Sequence, residues 1–281
     1  MRLSWAVAFV MALGGGTSFG QEDRWEARFT DVKGTVTVFT TGGDADGMPA
    51  DNDVPLEEGD RIKTGDDGYA EVAIEGDSLV VLKANSQMTV ASARIGASEI
   101  GLAFGSLLAK IQSALGVGGF RVRTPTAVAA VRGTEFGLDV AGEAEGNETH
   151  VGVFDEGKVE VSGLSGEDAE TLMVNQETVV RKGSRPLPPY VIKRLMRHRK
   201  LVRGMGKRAQ QVKKRWASLP ADKRGELRQR WMEKARERMK KMREKALQRN
   251  KPRRPGAGSK PGQEKMEQRR QKIIRERNKR P

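Results

Sequence analysis

Between about Trp25 and Val180 the chain is cut into short β-branched and apolar stretches, and turn residues fall between them roughly every ten positions. The stretches Gly34 to Phe39 (GTVTVF), Tyr69 to Ile74 (YAEVAI), Leu79 to Leu82 and Gln87 to Val90 are of this kind. So are Phe136 to Val140, Thr149 to Phe154 and Lys158 to Val161, and Thr171 to Val180 holds one or two more. Gly65-Asp66-Asp67-Gly68, Glu75-Gly76-Asp77 and Glu156-Gly157 are turn chemistry. Alternation of this length cannot make an amphipathic helix, so this part of the chain reads as an all-β domain. Gly42 to Asp53 and Gly142 to Asn147 read as exposed loop tips.

At Arg185 to Pro189 (RPLPP) the pattern changes. A helix is expected from about Pro189 to Trp216, with Gly204 and Gly206 interrupting or kinking it. A second is expected from Pro220, because a missing N–H costs nothing in a first helical turn. Its stripe is Leu227, Trp231, Ala235, Met239, Met242 and Ala246. Lys251 to Gly262 reads as a flexible linker, and the last stretch lacks an apolar face.

Charge divides at the same place. The whole chain carries 51 Lys+Arg and 37 Asp+Glu. From Tyr190 to Pro281 there are 35 basic and 8 acidic residues, leaving 16 and 29 for Met1 to Pro189. Such asymmetry speaks about partners rather than fold. It is compatible with a tail that meets a cell-wall polymer, an anionic lipid surface or nucleic acid. The opposite signs also allow a tail that lies against the acidic half, and the reading favoured is a helical pair with a basic surface whose Trp216, Trp231 and Met stripe pack on each other or on a partner.

The first residues read as an export signal. Arg2 precedes an apolar run from Leu3 to Leu13, and Ser18 and Gly20 stand third and first before Gln21. That run is shorter than the about 20 residues a spanning helix needs, and no later segment is apolar enough. There are no cysteines, which excludes disulfides, thiol catalysis and Cys-ligated metal.

Specific motifs stand in order between Leu56 and Val161. They are Gly59-Asp60, Thr64-Gly65, Gly68, Gly76-Asp77-Ser78 and Asn85-Ser86, then Leu102 to Ile111 (LAFGSLLAKI). Thr124-Pro125-Thr126, Ala130-Val131-Arg132-Gly133-Thr134, Phe136 and Glu156-Gly157-Lys158-Val159 follow. In these motifs the chain resembles the FecR domain. The resemblance implies an all-β extracytoplasmic module. In the best-known members it follows a cytoplasmic anti-sigma segment and a membrane helix, and it relays a signal from an iron-siderophore transporter. Here the leader stands where those parts would be, so what carries over is the binding or scaffolding module.

No arrangement for catalysis is visible, and no enzyme or cofactor is expected. His150 lies near Asp139 and Asp155 in sequence, but no nucleophile elbow accompanies it. Two distant histidines, His150 and His198, do not make a zinc site. The acidic residues Asp44, Asp46, Asp51 and Asp53 miss the EF-hand spacing. If a binding site exists, the candidates are Thr124, Thr126, Arg132 and Thr134, with Arg132 either meeting a ligand or anchoring the turn at Gly133.

The reading is therefore a mainly β protein with four parts: a signal peptide (1–20), a FecR-like β domain (25–182), a basic helical region (189–250) and a flexible basic tail (251–281). The expected function is non-catalytic binding of an envelope protein or ligand in the periplasm or cell envelope. The rival is a polyanion-binding protein that acts through its tail.

Overall fold

The computed structural model describes residues 26–41, 46–92, 98–112, 119–141, 147–166, 168–249, 266–272 and 275. The expected leader, the linker at 251–262 and parts of both loop tips lie outside the described residues. The chain divides into two compact units, Met1–Glu233 and Lys234–Pro281.

The described residues hold seventeen strands. In chain order they are β1 (Ala27–Lys33), β2 (Val36–Phe39), β3 (Met48–Pro49), β4 (Pro55–Leu56), β5 (Arg61–Thr64) and β6 (Tyr69–Ile74). Then come β7 (Ser78–Leu82), β8 (Gln87–Ser92), β9 (Ser98–Ile111), β10 (Phe120–Arg123), β11 (Ala127–Val131) and β12 (Thr134–Val140). The last are β13 (Glu148–Val153), β14 (Val159–Gly163), β15 (Glu170–Leu172), β16 (Gln176–Arg181) and β17 (Tyr190–Val191).

Pairing sorts them into two sheets that share β9. The first sheet runs β4-β1-β6-β7-β9-β12-β13-β16-β17. The second runs β3-β2-β5-β8-β9-β10-β11-β14-β15. Every pair is antiparallel except β9 with β10. β9 changes sheets at Gly105, which sits at φ +89° and whose added Cβ would lie 2.1 Å from Ser86 Oγ. Only glycine combines that backbone with that close approach. Its first half, to Phe104, pairs with β8 and its second half, from Gly105, pairs with β12.

Between the sheets lies the aliphatic core, with Phe29, Ile62, Val80, Ile100, Phe120, Val122, Phe136 and Val159 fully or almost fully buried. A threonine knot ties the two sheets across it. Thr124 Oγ1 and Thr149 Oγ1 are 2.8 Å apart, and Thr126 Oγ1 donates to Thr149 Oγ1 at 2.7 Å.

The basic region begins as an extended segment and not as a helix. β17 adds to β16, and a 3-10 turn (Leu195–His198) leads into α1 (Arg199–Arg215). Gly204 and Gly206 do not break α1, contrary to the expected kink. Gly206 instead lies beside the Lys110 side chain, where a would-be Cβ would make an ordinary contact at 3.5 Å. Residues Val202, Met205, Ala209, Val212 and Trp216 recur every three or four positions and face the first sheet. There they meet Ala73, Leu79, Val81, Leu108 and Phe154. This is why β6 and β7 are buried on both faces. Gly152 and Gly137, paired across β13 and β12, form a socket. A Cβ on Gly152 would lie 2.9 Å from Leu195 and one on Gly137 2.9 Å from Leu108.

After α1 the chain straps back over β1 and enters α2 (Ala221–Arg249), which belongs to the first unit only as far as Glu233. Trp216 stacks under the Arg28 guanidinium at 3.9 Å. Arg28 donates to Ala217 O at 2.9 Å, and Leu219 N donates to Glu26 Oε2 at 3.0 Å. Arg228 then forms a fork on the fully buried Asp60, at 2.7 and 2.5 Å, and also donates to Pro55 O. Trp231 Nε1 donates to Pro49 O at 2.9 Å. The two tryptophans thus pack on the β domain at separate places and not on each other. No helix among the described residues is long and apolar enough to cross a membrane.

Candidate binding face

The two sheets use their outer faces differently. Alternation along each strand sends every second side chain outward, so strand register decides which residues share a face.

On the first sheet the outer face carries carboxylates, and the tail neutralises them. Arg199 and Arg203 bind Asp155 at 2.5 and 3.0 Å, Arg208 binds Glu71 at 2.7 Å, and Lys213 binds Asp77 at 3.3 Å. A hydrogen bond from Arg199 above all, helped by Arg203, holds the Asp155 carboxyl below its ordinary range against the opposing effect of burial. Asp139 is almost completely buried and meets Ser106 Oγ at 2.5 Å, Arg197 at 2.5 Å and His198 at 3.8 Å. Burial pushes its pKa up, but His198, Ser106 and Arg197 outweigh that and bring it to about 2.

Glu177 is fully buried and receives the amides of Lys193 and Leu195 at 3.1 and 3.2 Å, with Tyr190 OH at 3.2 Å. His150 sits between Glu177 and Glu148, at 3.1 and 3.0 Å. Burial works against its protonation, but these carboxylates prevail and its pKa is raised. Asp139 takes Ser106 while His150 takes the glutamates, so the structure assembles no serine–histidine–aspartate relay from them.

On the second sheet the outer face is left open by the described residues. Inward Ile62, Phe120, Val122, Val131 and Val159 are buried, while their neighbours Arg61, Lys63, Arg121, Arg123, Arg132 and Lys158 are all exposed. Register places Arg61, Thr89, Gly101, Arg123, Val128 and Ser162 in one row across six strands. The next row holds Glu99, Arg121, Ala130, Glu160 and Thr171. Arg132 and Lys158 flank its end around a groove of about 220 Å³ that Ala130, Glu160 and Thr171 also line. Arg123 pairs with Glu99 at 3.2 Å, and Arg61 stacks on Phe39 at 4.5 Å. Lys63, Arg121, Arg132 and Lys158 have no ion pair among the described residues.

The four residues singled out from the sequence are therefore separated. Thr124, Thr126 and Thr134 are buried. The first two belong to the threonine knot, and Ala127 N donates to Thr124 Oγ1 at 2.9 Å. Thr134 Oγ1 donates to Lys158 O at 2.9 Å and so closes the turn at Gly133. Arg132 alone of the four reaches the surface, and it has no ion pair among the described residues. The other cations of the open face were not singled out, although their signal is present: RIK and FRVR alternate cation with apolar residue.

Among known families, the model described as "FecR protein" matches residues 60–160. No curated protein matches. Two crystal structures of an anti-sigma factor candidate from Parabacteroides distasonis are similar at 20% identity. One has a TM-score of 0.42, with 50% of this chain and 64% of that chain covered, and the other 0.40, with 48% and 61%. This chain therefore spans less than two thirds of either protein. The chain carries a FecR domain, matched over residues 60–160 and set within a β fold that runs from β1 to β17.

Proposed function

We propose that the protein is a non-catalytic, exported FecR-domain module that binds a protein or ligand in the bacterial cell envelope, through the open face of the second sheet. One observation carries this reading. The first sheet's outer face is covered and charge-matched by the chain's own tail, while the second sheet's outer face presents cations that the described fold leaves unpaired. Desolvated or paired charges hold structure together, whereas exposed unpaired like charges cost self-repulsion and suit an opposite partner. The FecR match supports a signalling-related binding role. The leader-like residues 1–20 support export.

The test uses the full-length chain with a photo-crosslinking residue at position 132, in cells of the source type. The expected result is a discrete adduct in the envelope fraction that is lost when Lys158→Glu and Arg121→Glu are added. Adducts that survive those changes, or a product confined to the cytosol, refute the reading. The tail remains the competing surface, since α2 holds twelve Lys or Arg against five acidic residues. Binding to anionic vesicles that vanishes with salt, and with removal of the residues after Glu233, would favour that alternative.

A further inference from the structure

The open face of the second sheet has a chemistry more specific than positive charge. Its backbone N–H and C=O groups are consumed in ladders with neighbours on both sides from β5 to β14. A ligand laid on this face therefore meets side chains only, and strand addition is not available to it. Those side chains are of three kinds. Arg61, Arg121, Arg123 and Arg132 offer guanidinium forks, which match carboxylates in two-pronged geometry. Thr89 and Ser162 offer hydroxyls. Gly101, Ala130 and Val128 form a low floor of small apolar groups between them.

Strands lie about 4.8 Å apart, so Arg61 on β5 and Arg123 on β10, three strands away, stand roughly 14 Å apart across the row. The row is a track across the strands with these two cations on it, and Arg121 and Arg132 stand beside it in the following rows. Against six cations the face holds two carboxylates, Glu99 and Glu160; Glu99 pairs with Arg123 at 3.2 Å, an exposed contact that a ligand carboxylate has to displace or share. A flexible lipid headgroup layer has no repeat to match such a track. A single-stranded nucleic acid wants free aromatic platforms, and Phe39 is capped by Arg61. A stiff chain of sugar rings does match it, since carboxylates repeated at about one strand spacing put every third one on the interval between Arg61 and Arg123, with hydroxyls between them and flat C–H faces toward the floor.

We infer that the open face binds an acidic polysaccharide of the uronate type, laid across β5, β8, β9, β10, β11 and β14, with Arg61, Arg121, Arg123 and Arg132 taking its carboxylates. This rests on the reading of that face as the binding surface and names its ligand class.

The experiment titrates the full chain with polygalacturonate at fixed ionic strength, with neutral dextran, poly-glutamate and phosphatidylglycerol vesicles as comparisons. Polygalacturonate should bind and dextran should not. The pair Arg121→Gln and Arg123→Gln should weaken polygalacturonate binding about tenfold or more. Thr89→Glu, which puts a repelling charge in the middle of the track, should do the same. Both leave inward residues alone, and unchanged circular dichroism and melting would show that they fold. Changing the exposed tail cations Lys200, Lys207, Lys214 and Arg215 to Gln should leave this binding within about twofold. The inference is overturned if polygalacturonate does not bind, if the sheet variants bind as before, or if the tail variant takes the loss. Poly-glutamate or vesicles binding as tightly as polygalacturonate would overturn it too. Absence of polygalacturonate binding alongside a persisting adduct at position 132 would remove the polymer and leave the binding face standing.

Discussion

Asp60 shows how much one side chain can decide. In sequence it is the acidic half of a Gly-Asp turn, and its Oδ2 does accept the Glu57 amide at 2.9 Å. In the fold it is completely buried and also receives the Arg228 fork from 168 residues away. Removing one partner of a buried pair leaves an uncompensated charge, which costs about 3–5 kcal/mol. Arg228→Met should therefore lower the unfolding free energy by about that amount, and adding Asp60→Asn should recover part of it. Urea denaturation of both variants measures this, and additive losses would contradict the pairing.

Asp139 and His150 make stability depend on pH with opposite signs. Asp139 titrates at about 2 in the fold against an ordinary 3.8, so its contribution is complete above about 4 and is lost as pH falls through about 2. That is about 2 kcal/mol. The raised pKa of His150 works the other way, because its contribution is present below about 6.5 and disappears as pH climbs through the raised value. Melting temperature should thus peak between those limits. Asp139→Asn should flatten the acid side of the curve, and His150→Gln the other side.

At the scale of elements, α1 is held by a shape as much as by charge. Its apolar face follows a three-and-four spacing, but the seat exists because Gly137 and Gly152 remove side chains at paired positions of β12 and β13. Leu195 fills the gap over Gly152. Gly152→Val should push Leu195 and Ile192 out and cost about 1–3 kcal/mol through overpacking. Hydrogen exchange of the α1 amides should then quicken while β9 amides stay protected. Equal loss of protection in both would mean that α1 and the sheet unfold as one unit. Gly105 acts on a longer element, since it lets β9 pass from one sheet to the other.

For the whole molecule, the charge split seen along the chain is converted into an arrangement in space. Of α1's eight cations, Arg199, Arg203, Arg208 and Lys213 neutralise the first sheet's carboxylates. The tail therefore completes the β fold by covering Ala73, Leu79, Val81, Leu108 and Phe154. A fragment that ends near residue 190 should expose this apolar surface, and exposed patches of that kind promote association. Light scattering should find it aggregating where the full chain does not, and a monodisperse, thermally stable fragment would refute this.

Much of the β class was readable because strand, turn and glycine chemistry act over a few residues. YAEVAI, QMTV and FGLDV fell where strands stand, and the basic region is largely helical. β1, β5, β9, β10 and β11 were harder, since Gly101 and Gly105 interrupt one and charged residues break the apolar pattern of others. The binding candidates show the same limit. A threonine beside a proline looks the same in sequence whether it meets a ligand or ties two sheets together, and burial separates the cases. By itself the sequence determined the fold class, the FecR motifs and the opposite charges of the two halves, because local propensity and composition suffice for these. Only the tertiary structure decided which carboxylates the tail neutralises and which cations stay open, because that follows from strand register and long-range packing between residues far apart in the chain.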